Sequence, residues 1–233
     1  SGWYYEGNNV CTSNAQVINL TAGLNTVNVN VLDCVTFGQP GAGGIDQEGD
    51  AFNSVIIGSQ EWMKENLKVS KYRNGNLIAT NLNNTSWVAS TSGAYAIYNN
   101  DPVYDSLYGK LYNHYAVMDT RGLCPTGWHV PTDGEWTTLE TFLGGSSVAG
   151  GALKSAATQP TPGGWFSPNT GATNSSGFSA GPGGLRTLNG AFNYVGYLGH
   201  WWSSSLSGTN AWDRSLYRDY GLMSRNYTNL RSN

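Results

Sequence analysis

Glycine occurs so often in this sequence that few stretches can form long helices. The 233 residues include 31 glycines, and a glycine inside a helix costs about 1 kcal/mol relative to alanine. The chain also contains nine tryptophans and fourteen tyrosines, each of which can bury a large apolar area. Frequent turns and many aromatic anchors together predict a loop-rich fold with short strands.

The low fraction of charged residues limits the kinds of partner that the protein is expected to bind. Only 12% of the residues are charged and the net charge is −3, whereas an average soluble protein has about 25% charged residues. A weakly charged polar surface suits secreted proteins and surfaces that pack against copies of themselves. There is no basic patch, so nucleic acid is not expected as a partner. No apolar run approaches the roughly 20 residues that span a bilayer, so no membrane span is expected.

Residues 1–45 are expected to form a separate β-hairpin appendage. Valine and asparagine alternate strictly over residues 27–31, which predicts a strand with one buried and one wet face. Cys11 and Cys34 flank the hairpin, and a disulfide between them would add about 3 kcal/mol of stability by loop entropy. The alternative is two free buried thiols. The glycine-rich residues 39–44 predict a flexible linker.

The second predicted domain covers residues 46–233. Apolar residues on either side of a Gly-Ser turn predict a β-hairpin with strands in 52–57 and 61–69. Spacing of apolar residues predicts a helix over 108–118.

The clearest predicted helix begins at Thr132. Thr132 can cap its N-terminus while Glu135 reaches back to it, which is the capping-box arrangement. The pair Gly144-Gly145 is expected to end the helix. Four apolar side chains follow at helical spacing: Trp136, Leu139, Phe142 and Leu143.

Three blocks together resemble one known family. They are WMKENL at 62–67, YGKLYN at 108–113 running on to LCPTGWHVPT at 123–132, and GFSA at 177–180 followed by WWSSS at 201–205. In this order the blocks resemble the Fibrobacter succinogenes major paralogous domain family. The resemblance extends over residues 46–233, and the first 45 residues lie outside it.

The resemblance implies an α+β, C-type-lectin-like fold, loop-rich with short antiparallel strands and about two helices. This fold is related to that of the formylglycine-generating enzymes. The resemblance also implies a secreted or envelope-anchored bacterial protein, without a defined activity. Formylglycine-generating enzymes use a pair of cysteines in their C-terminal region, and no cysteine follows Cys124 here. That chemistry is therefore not carried over.

Cys124 is the cysteine left over if Cys11 pairs with Cys34. The resemblance implies a further C-terminal strand that carries a cysteine partner for it, and the sequence ends at Asn233 without one. A shortened chain, proteolysis or an omitted segment would explain this. A domain without that strand would also expose backbone groups that another subunit can fill, with residues 1–45 as the donor. Cys124 is expected to be unpaired or intermolecularly bonded.

No catalytic site is predicted. His114, His129 and His200 do not lie at metal-ligand spacing. The serines at 203–205 lack a Gly-x-Ser-x-Gly elbow, which argues against a serine hydrolase; they predict a strand instead. We expect His114 to be partly exposed on its helix and His129 to pack and form hydrogen bonds at a strand end.

Calcium is the one cofactor that the sequence leaves open. Asn100, Asp101 and Asp105 form an oxygen-rich cluster, and calcium prefers oxygen ligands. The sugar-binding triplets Glu-Pro-Asn and Gln-Pro-Asp are absent, so calcium-dependent sugar binding of that kind is not expected. The alternative is a loop in which Asn and Asp side chains make local turns.

Aromatic residues near the C-terminus predict a binding surface. The proposed ligand-binding or partner-binding residues are Tyr217, Tyr220, Tyr227, Arg214, Arg218 and Arg225. Tyrosine and arginine are enriched at interface hot spots. The tryptophans of the same region, Trp201, Trp202 and Trp212, are expected in the core.

The leading hypothesis is a non-enzymatic extracellular or cell-surface protein that acts in adhesion or self-assembly, with a filament or matrix subunit as its structural variant. Its partners would be its own subunits or a surface ligand such as a glycan. A carbohydrate-binding lectin-like module is the alternative, and an enzyme on a formylglycine-generating-like scaffold is a remote one.

Overall fold

The computed structural model describes residues 38–232, which form an α+β structure with several short antiparallel sheets. The strands are β1 Gln39–Pro40, β2 Gly44–Ile45, β3 Ala51–Phe52, β4 Ser54–Ile57, β5 Gln60–Met63, β6 Tyr95–Ala96, β7 Leu111–Tyr112, β8 Leu185–Arg186, β9 Phe192–Asn193, β10 Leu198–Ser207, β11 Asn210–Tyr217 and β12 Met223–Asn229. The helices are α1 Asn84–Ala89, α2 Val103–Tyr108, α3 His114–Val117, α4 Asp133–Phe142 and α5 Ser146–Leu153, with a 3₁₀ turn at Tyr98–Asn100. None of these helices is long and apolar enough to cross a membrane.

Two three-stranded antiparallel sheets form the framework. Their strand orders are β1-β4-β5 and β10-β11-β12. In the second sheet, β10 pairs with β11 from Leu198 opposite Tyr217, and the register shifts between Trp202 and Leu206. Strands β5 and β10 are each the outer strand of their own sheet, so each has one side without a strand partner.

The predicted hairpin is confirmed, with a shorter second strand. Strands β4 and β5 pair antiparallel around a turn at Gly58, whose φ of 63° suits glycine. Residues 1–37 of the predicted appendage at 1–45, and with them the predicted Cys11–Cys34 disulfide, lie outside the described residues. The expectation of a flexible linker at 39–44 is wrong, because β1 pairs with β4.

The predicted helix over residues 108–118 is also wrong. Helix α2 ends at Tyr108, because Gly109 adopts a left-handed φ of 72°. A short strand follows, and α3 begins only after Asn113, whose side chain accepts a hydrogen bond from the Ala116 N–H. Turn chemistry at these two residues overrides the apolar spacing.

Helix α4 confirms the capping-box prediction. The Thr132 side chain accepts a hydrogen bond from the Glu135 N–H, and the Glu135 carboxylate accepts one from the Thr132 N–H. Both bonds satisfy N–H groups that the helix itself leaves without partners. The helix buries Trp136 and Leu139.

One hydrophobic cluster joins both sheets to the two longest helices. It includes Val55, Ile57 and Trp62 from the first sheet, Trp136 and Leu139 from α4, Leu153 from α5, and Leu216 and Met223 from the second sheet. Because protein interiors pack densely, small changes of side-chain volume in this cluster should change the stability of the fold.

Gly150 of α5 offers a test of that density. A Cβ at Gly150 would lie 2.2 Å from the backbone oxygen of Leu222, next to β12, whereas a Cβ at Gly134 of α4 would meet nothing closer than 3.8 Å. We expect Gly150→Ala to lower the free energy of unfolding by about 1–3 kcal/mol through overpacking. Gly134→Ala should raise it by about 0.5–1 kcal/mol, because alanine favours the helix.

Urea denaturation of the two variants and the wild type measures both effects. Equal effects of the same sign would contradict the close approach of α5 to the loop before β12.

Candidate functional site

A cavity of about 610 Å³ lies beside the outer strands of both three-stranded sheets. Residues 60–63 of β5 and 200–202 of β10 line it, together with the loop 127–131 that leads into α4. We call it the β5–β10 cleft. Its volume is in the usual range for ligand sites. Eight aromatic side chains contribute to its wall: Trp62, Tyr108, Tyr112, Trp128, Trp136, Phe178, Trp201 and Trp202.

Hydrogen bonds hold several of these rings in fixed positions. The indole N–H of Trp136 donates to the Trp202 carbonyl at 3.1 Å, and that of Trp202 donates to the Tyr112 carbonyl at 2.8 Å. The Trp201 indole donates to Oδ1 of Asn66 at 2.9 Å. The aromatic wall therefore forms a rigid surface.

Three polar side-chain atoms of residues that line the cleft have no hydrogen-bond partner in the described part of the chain. They are Oε1 of Gln60, the indole Nε1 of Trp62 and the ring Nδ1 of His200. Trp62 is 7% exposed and the His200 side chain 4% exposed, so water reaches neither of these two freely. A buried polar group without a partner costs about 1–3 kcal/mol. The three atoms therefore favour a polar occupant of the cleft.

Asp213 determines the proton arrangement of His200. The His200 Nε2 lies 2.9 Å from Oδ1 of Asp213, which is fully buried. Burial opposes ionisation of Asp213, but hydrogen bonds from His200, Thr228 and Asn226 outweigh it and hold the pKa of this carboxyl below its usual value. Because a carboxylate only accepts, Nε2 carries a hydrogen, and Nδ1 is the ring nitrogen that remains without a partner in the described residues.

The outer side of β5 presents unpaired backbone groups. Gly41 N–H donates to Ser54 O, and Lys64 N–H donates to Asn53 O. Residues alternate in direction along an antiparallel strand, so with Ser54 opposite Met63 the N–H and C=O of Glu61 and Met63 point away from β4. No hydrogen bond satisfies them within residues 38–232.

The outer side of β10 also presents unpaired backbone groups. The carbonyls of Leu198 and Trp202 accept bonds from Gly184 N–H and the Trp136 indole, both outside the sheet. By the same alternation, the N–H and C=O of His200 point away from β11, and within the described chain they have no partner. Two sheet edges with open backbone groups thus border one cleft.

Cys124 also lines the cleft. It is buried, and the described residues contain no disulfide that includes it. Burial raises the pKa of its thiol to about 12, although Arg73 opposes this shift. The thiol is therefore protonated at neutral pH. Whether Cys124 bonds to another chain stays a prediction.

The protonated thiol predicts slow alkylation. In a variant with Cys11→Ser and Cys34→Ser, iodoacetamide at pH 8 should modify Cys124 at least about 100-fold more slowly in the native protein than in urea, because only the thiolate reacts. Intact mass against time measures both rates. A native rate within tenfold of the urea rate would contradict the burial of this thiol.

The predicted tyrosine and arginine surface is only partly assembled. Tyr217, Tyr220 and Tyr227 are exposed, as predicted. Arg218 lies over the Tyr197 ring at 4.3 Å, and Arg225 over the Trp212 ring at 3.5 Å.

The prediction that Arg214 belongs to this surface is wrong. Its side chain is 0% exposed, because it points under α4, where it donates to Asp133 at 2.9 Å and lies 3.8 Å from Glu140. The core prediction for the three tryptophans holds fully for Trp202, whereas Trp201 and Trp212 are half-buried.

The residues of the predicted calcium cluster have protein partners. Asp105 pairs with Lys110 at 2.9 Å, and Asp101 accepts a bond from the Val103 N–H at the start of α2. Asn100 adopts a left-handed φ of 56° in the turn before it. Residues 38–232 contain no group of three or more His, Cys, Asp or Glu side chains placed to hold a metal. Calcium binding stays untested.

The histidine predictions need correction. His114 is buried rather than partly exposed, because its Nε2 contacts the Ser203 carbonyl at 2.9 Å and its ring packs against Trp202. Burial lowers the pKa of His114, so the ring is neutral and Nε2–H donates. His129 is exposed rather than packed, but it forms a hydrogen bond as expected, with its Nε2 2.9 Å from Glu135.

Sequence reasoning missed the cleft itself. Trp62 and His200 are 138 positions apart in the numbering, and no local motif links them. The one available signal was the resemblance, which implied a strand partner near Cys124.

Comparisons with known proteins gave one match. The family model described as the Fibrobacter succinogenes major domain matches residues 55–231. No curated protein and no solved structure matches the chain.

Proposed function

The chain belongs to the Fibrobacter succinogenes major domain family, and on this premise we propose that it is a non-enzymatic extracellular or cell-surface protein that self-assembles. The β5–β10 cleft would bind an extended polypeptide segment, and the assembled form would be a filament or matrix. We also propose that the fold is C-type-lectin-like, as the α+β architecture with short antiparallel sheets allows. One observation carries the proposal: two sheet edges with open backbone groups border the same cleft.

The chemistry of the cleft suits a peptide backbone. Each residue of an added strand supplies one N–H and one C=O. These groups could form hydrogen bonds with the unpaired backbone groups of Glu61, Met63 and His200. A peptide carbonyl can accept the Trp62 indole hydrogen, and a backbone group can pair with Nδ1 of His200, which has no partner in the described residues. Strand addition to an open edge is an established mode of peptide recognition.

The nucleophiles of the cleft favour binding over catalysis. The Cys124 thiol is protonated at neutral pH, and a thiol without thiolate character is a poor nucleophile. The Ser203 hydroxyl does not line the cleft, and it accepts a bond from the Ser205 N–H on β10. His200 pairs with Asp213 through Nε2 and, within the described residues, forms no hydrogen bond with Cys124 or Ser203.

Met63→Pro tests the proposal at the edge of β5. The Met63 N–H points away from β4, so proline removes a donor from the cleft without breaking a bond of the β4–β5 ladder. We expect the wild type to form oligomers in size-exclusion chromatography and fibres or sheets in electron microscopy. Met63→Pro should need about fivefold more protein to do so, since one hydrogen bond is worth about 1 kcal/mol.

Met63→Leu is the matched control, because it keeps the N–H and a similar side-chain volume. Circular dichroism must show that Met63→Pro remains folded. A wild type that stays monomeric at high concentration, or a folded Met63→Pro that assembles like the wild type, would overturn the proposal.

Carbohydrate binding is a second proposal, supported by the exposed rings near the C-terminus. Tyr220 and Tyr227 are 55% and 62% exposed, and exposed aromatic faces can stack on sugar rings. A glycan array with and without calcium tests it, and no signal in either condition would count against it.

A further inference from the structure

We propose that the segment that enters the β5–β10 cleft is residues 25–32 of a second copy of this chain. The inference rests on the proposed function and names its donor. Two features support this donor: the alternating sequence NTVNVNVL of residues 25–32 and the two different faces of the cleft.

The first face of the cleft is aromatic. Trp62 of β5 and Trp201 of β10 both pack against Phe178, at ring distances of 5.9 Å and 6.4 Å. The two tryptophans therefore lie on the same side of the space between the strands. A strand added there would place every second side chain against these rings. Val27, Val29 and Val31 occupy alternate positions, and β-branched residues pair well with aromatic ones.

The second face of the cleft is polar. Side chains alternate along a strand, so Glu61 of β5 and His200 of β10 lie on the side opposite Trp62 and Trp201. The asparagines of the segment would face them. An asparagine side chain carries both an N–H donor and a carbonyl acceptor, so it can pair with Nδ1 of His200, which has no partner within the described residues. Asn28 and Asn30 thus match the ring nitrogen that the described chain leaves unpaired.

The charge of the segment fits burial. Residues 25–32 contain no ionisable side chain, so the segment can enter the cleft without the cost of burying a charge. Glu61 and Glu135 line the cleft, so a negatively charged segment would also be repelled there.

The path of the chain favours a second copy as the donor. The sheet order is β1-β4-β5, and residues 25–32 precede β1 in the sequence. The chain therefore enters the sheet on the side of β4 that lies away from the open edge of β5. A donor from a neighbouring copy needs no return across the sheet, and each copy would offer one donor and one cleft. Such head-to-tail contacts generate open filaments.

A mixing experiment with two full-length variants tests the donor. Val29→Asp places a charge in the row of alternating valines (Val27, Val29 and Val31, the valine row) and leaves the cleft intact. Met63→Pro impairs the cleft and leaves the segment intact. Each variant alone should be monomeric at concentrations where the wild type assembles. An equimolar mixture should form a one-to-one dimer in light scattering, because one donor and one cleft remain.

The outcomes separate this inference from the proposed function. If Val29→Asp assembles like the wild type while Met63→Pro does not, residues 25–32 are not the donor, although the cleft still mediates assembly. If both variants assemble, the proposed function fails. If both are monomeric and do not combine, a donor from a second copy is wrong. Val17→Asp, the same substitution outside the segment, is the control and should assemble normally.

A peptide experiment keeps the inference testable without assembly. A synthetic peptide of residues 23–33 should bind Val29→Asp protein and change the fluorescence of the tryptophans in the cleft. A peptide of the same composition with the alternation scrambled should bind at least about tenfold more weakly. Equal binding of both peptides would overturn the match between the valine row and the aromatic face.

Discussion

Replacing Arg214 with alanine should lower the free energy of unfolding by about 3–5 kcal/mol, the usual effect of breaking a buried ion pair. Arg214 is fully buried and donates to Asp133 at 2.9 Å and to the Thr137 hydroxyl at 3.2 Å. Its removal leaves Glu140 without this cation and opens a cavity beneath α4. Urea denaturation followed by circular dichroism measures the loss.

Arg225→Ala is the matched control. Arg225 lies directly opposite Arg214 in the sheet and pairs with the same Asp133 at 2.7 Å, but its side chain is 43% exposed. An exposed pair contributes about 0–1 kcal/mol, and the contact of Arg225 with the Trp212 ring adds a similar amount. We expect a loss of about 1 kcal/mol. Equal losses for both variants would contradict the role of burial.

The two arginine variants should also differ from the wild type in acid. The hydrogen bond from Arg225, with a smaller contribution from Arg214, holds the pKa of Asp133 below its ordinary value of 3.8. A depressed carboxyl pKa stabilises the fold above about pH 4, and this stabilisation is lost as pH falls through the folded-state pKa. The difference in unfolding free energy between wild type and Arg225→Ala should therefore shrink below pH 4.

Lys154→Met should cost about 3–6 kcal/mol, the second large effect. The Lys154 side chain is fully buried, and its ammonium group donates to the carbonyls of Thr170, Tyr217 and Tyr220 at 2.8, 3.0 and 2.8 Å. Methionine has a similar shape but leaves three carbonyls without this donor, at about 1–3 kcal/mol each where they stay buried. Chemical denaturation of the variant measures the cost.

Lys68→Met serves as the comparison. Lys68 is exposed and approaches the Ser106 carbonyl at 3.4 Å, so its substitution should change stability by less than about 0.5 kcal/mol. A small effect of Lys154→Met, similar to that of Lys68→Met, would show that the three carbonyls find other partners.

The Lys154 effect should depend on pH. Burial lowers the pKa of Lys154 to about 8, from 10.5. Between these values the unfolded state binds more protons than the folded state, so the wild-type free energy of unfolding gains a contribution that rises with pH. Lys154→Met lacks this contribution, so the difference in free energy of unfolding between the wild type and the variant should widen from about pH 8 to about pH 10. If this difference narrows instead, the direction of the pKa shift is wrong.

Substitutions at Arg214 and Lys154 can also separate effects on folding from effects on assembly. Arg214 and Lys154 are absent from the wall of the cleft, so their substitution should affect folding before it affects strand addition. Met63→Pro should do the opposite. A variant set that separates stability from assembly in this way distinguishes a loss of the domain from a loss of its binding edge.

Features whose causes lie within a few residues were predictable. Thr132 and Glu135 sit three residues apart, and their reciprocal hydrogen bonds need only the first turn of α4. The β4–β5 hairpin likewise depends on apolar runs around one glycine turn. The family blocks belong to the same class of signal, since each is a short run of residues. Even here Gly109 and Asn113 divided a predicted helix, because local turn chemistry competes with apolar spacing.

Tertiary structure alone decided which polar residues are buried and which edges are open. Arg214 and Arg225 look alike in the sequence, but α4 covers one and leaves the other exposed. His200 acquires its role only because Asp213 on the neighbouring strand pairs with its Nε2, while Nδ1 has no partner among the described residues. The cleft exists because two sheets end beside each other, at strands about 140 residues apart. Side-chain period and turn chemistry act over a few residues, whereas burial and edge exposure depend on how distant elements pack.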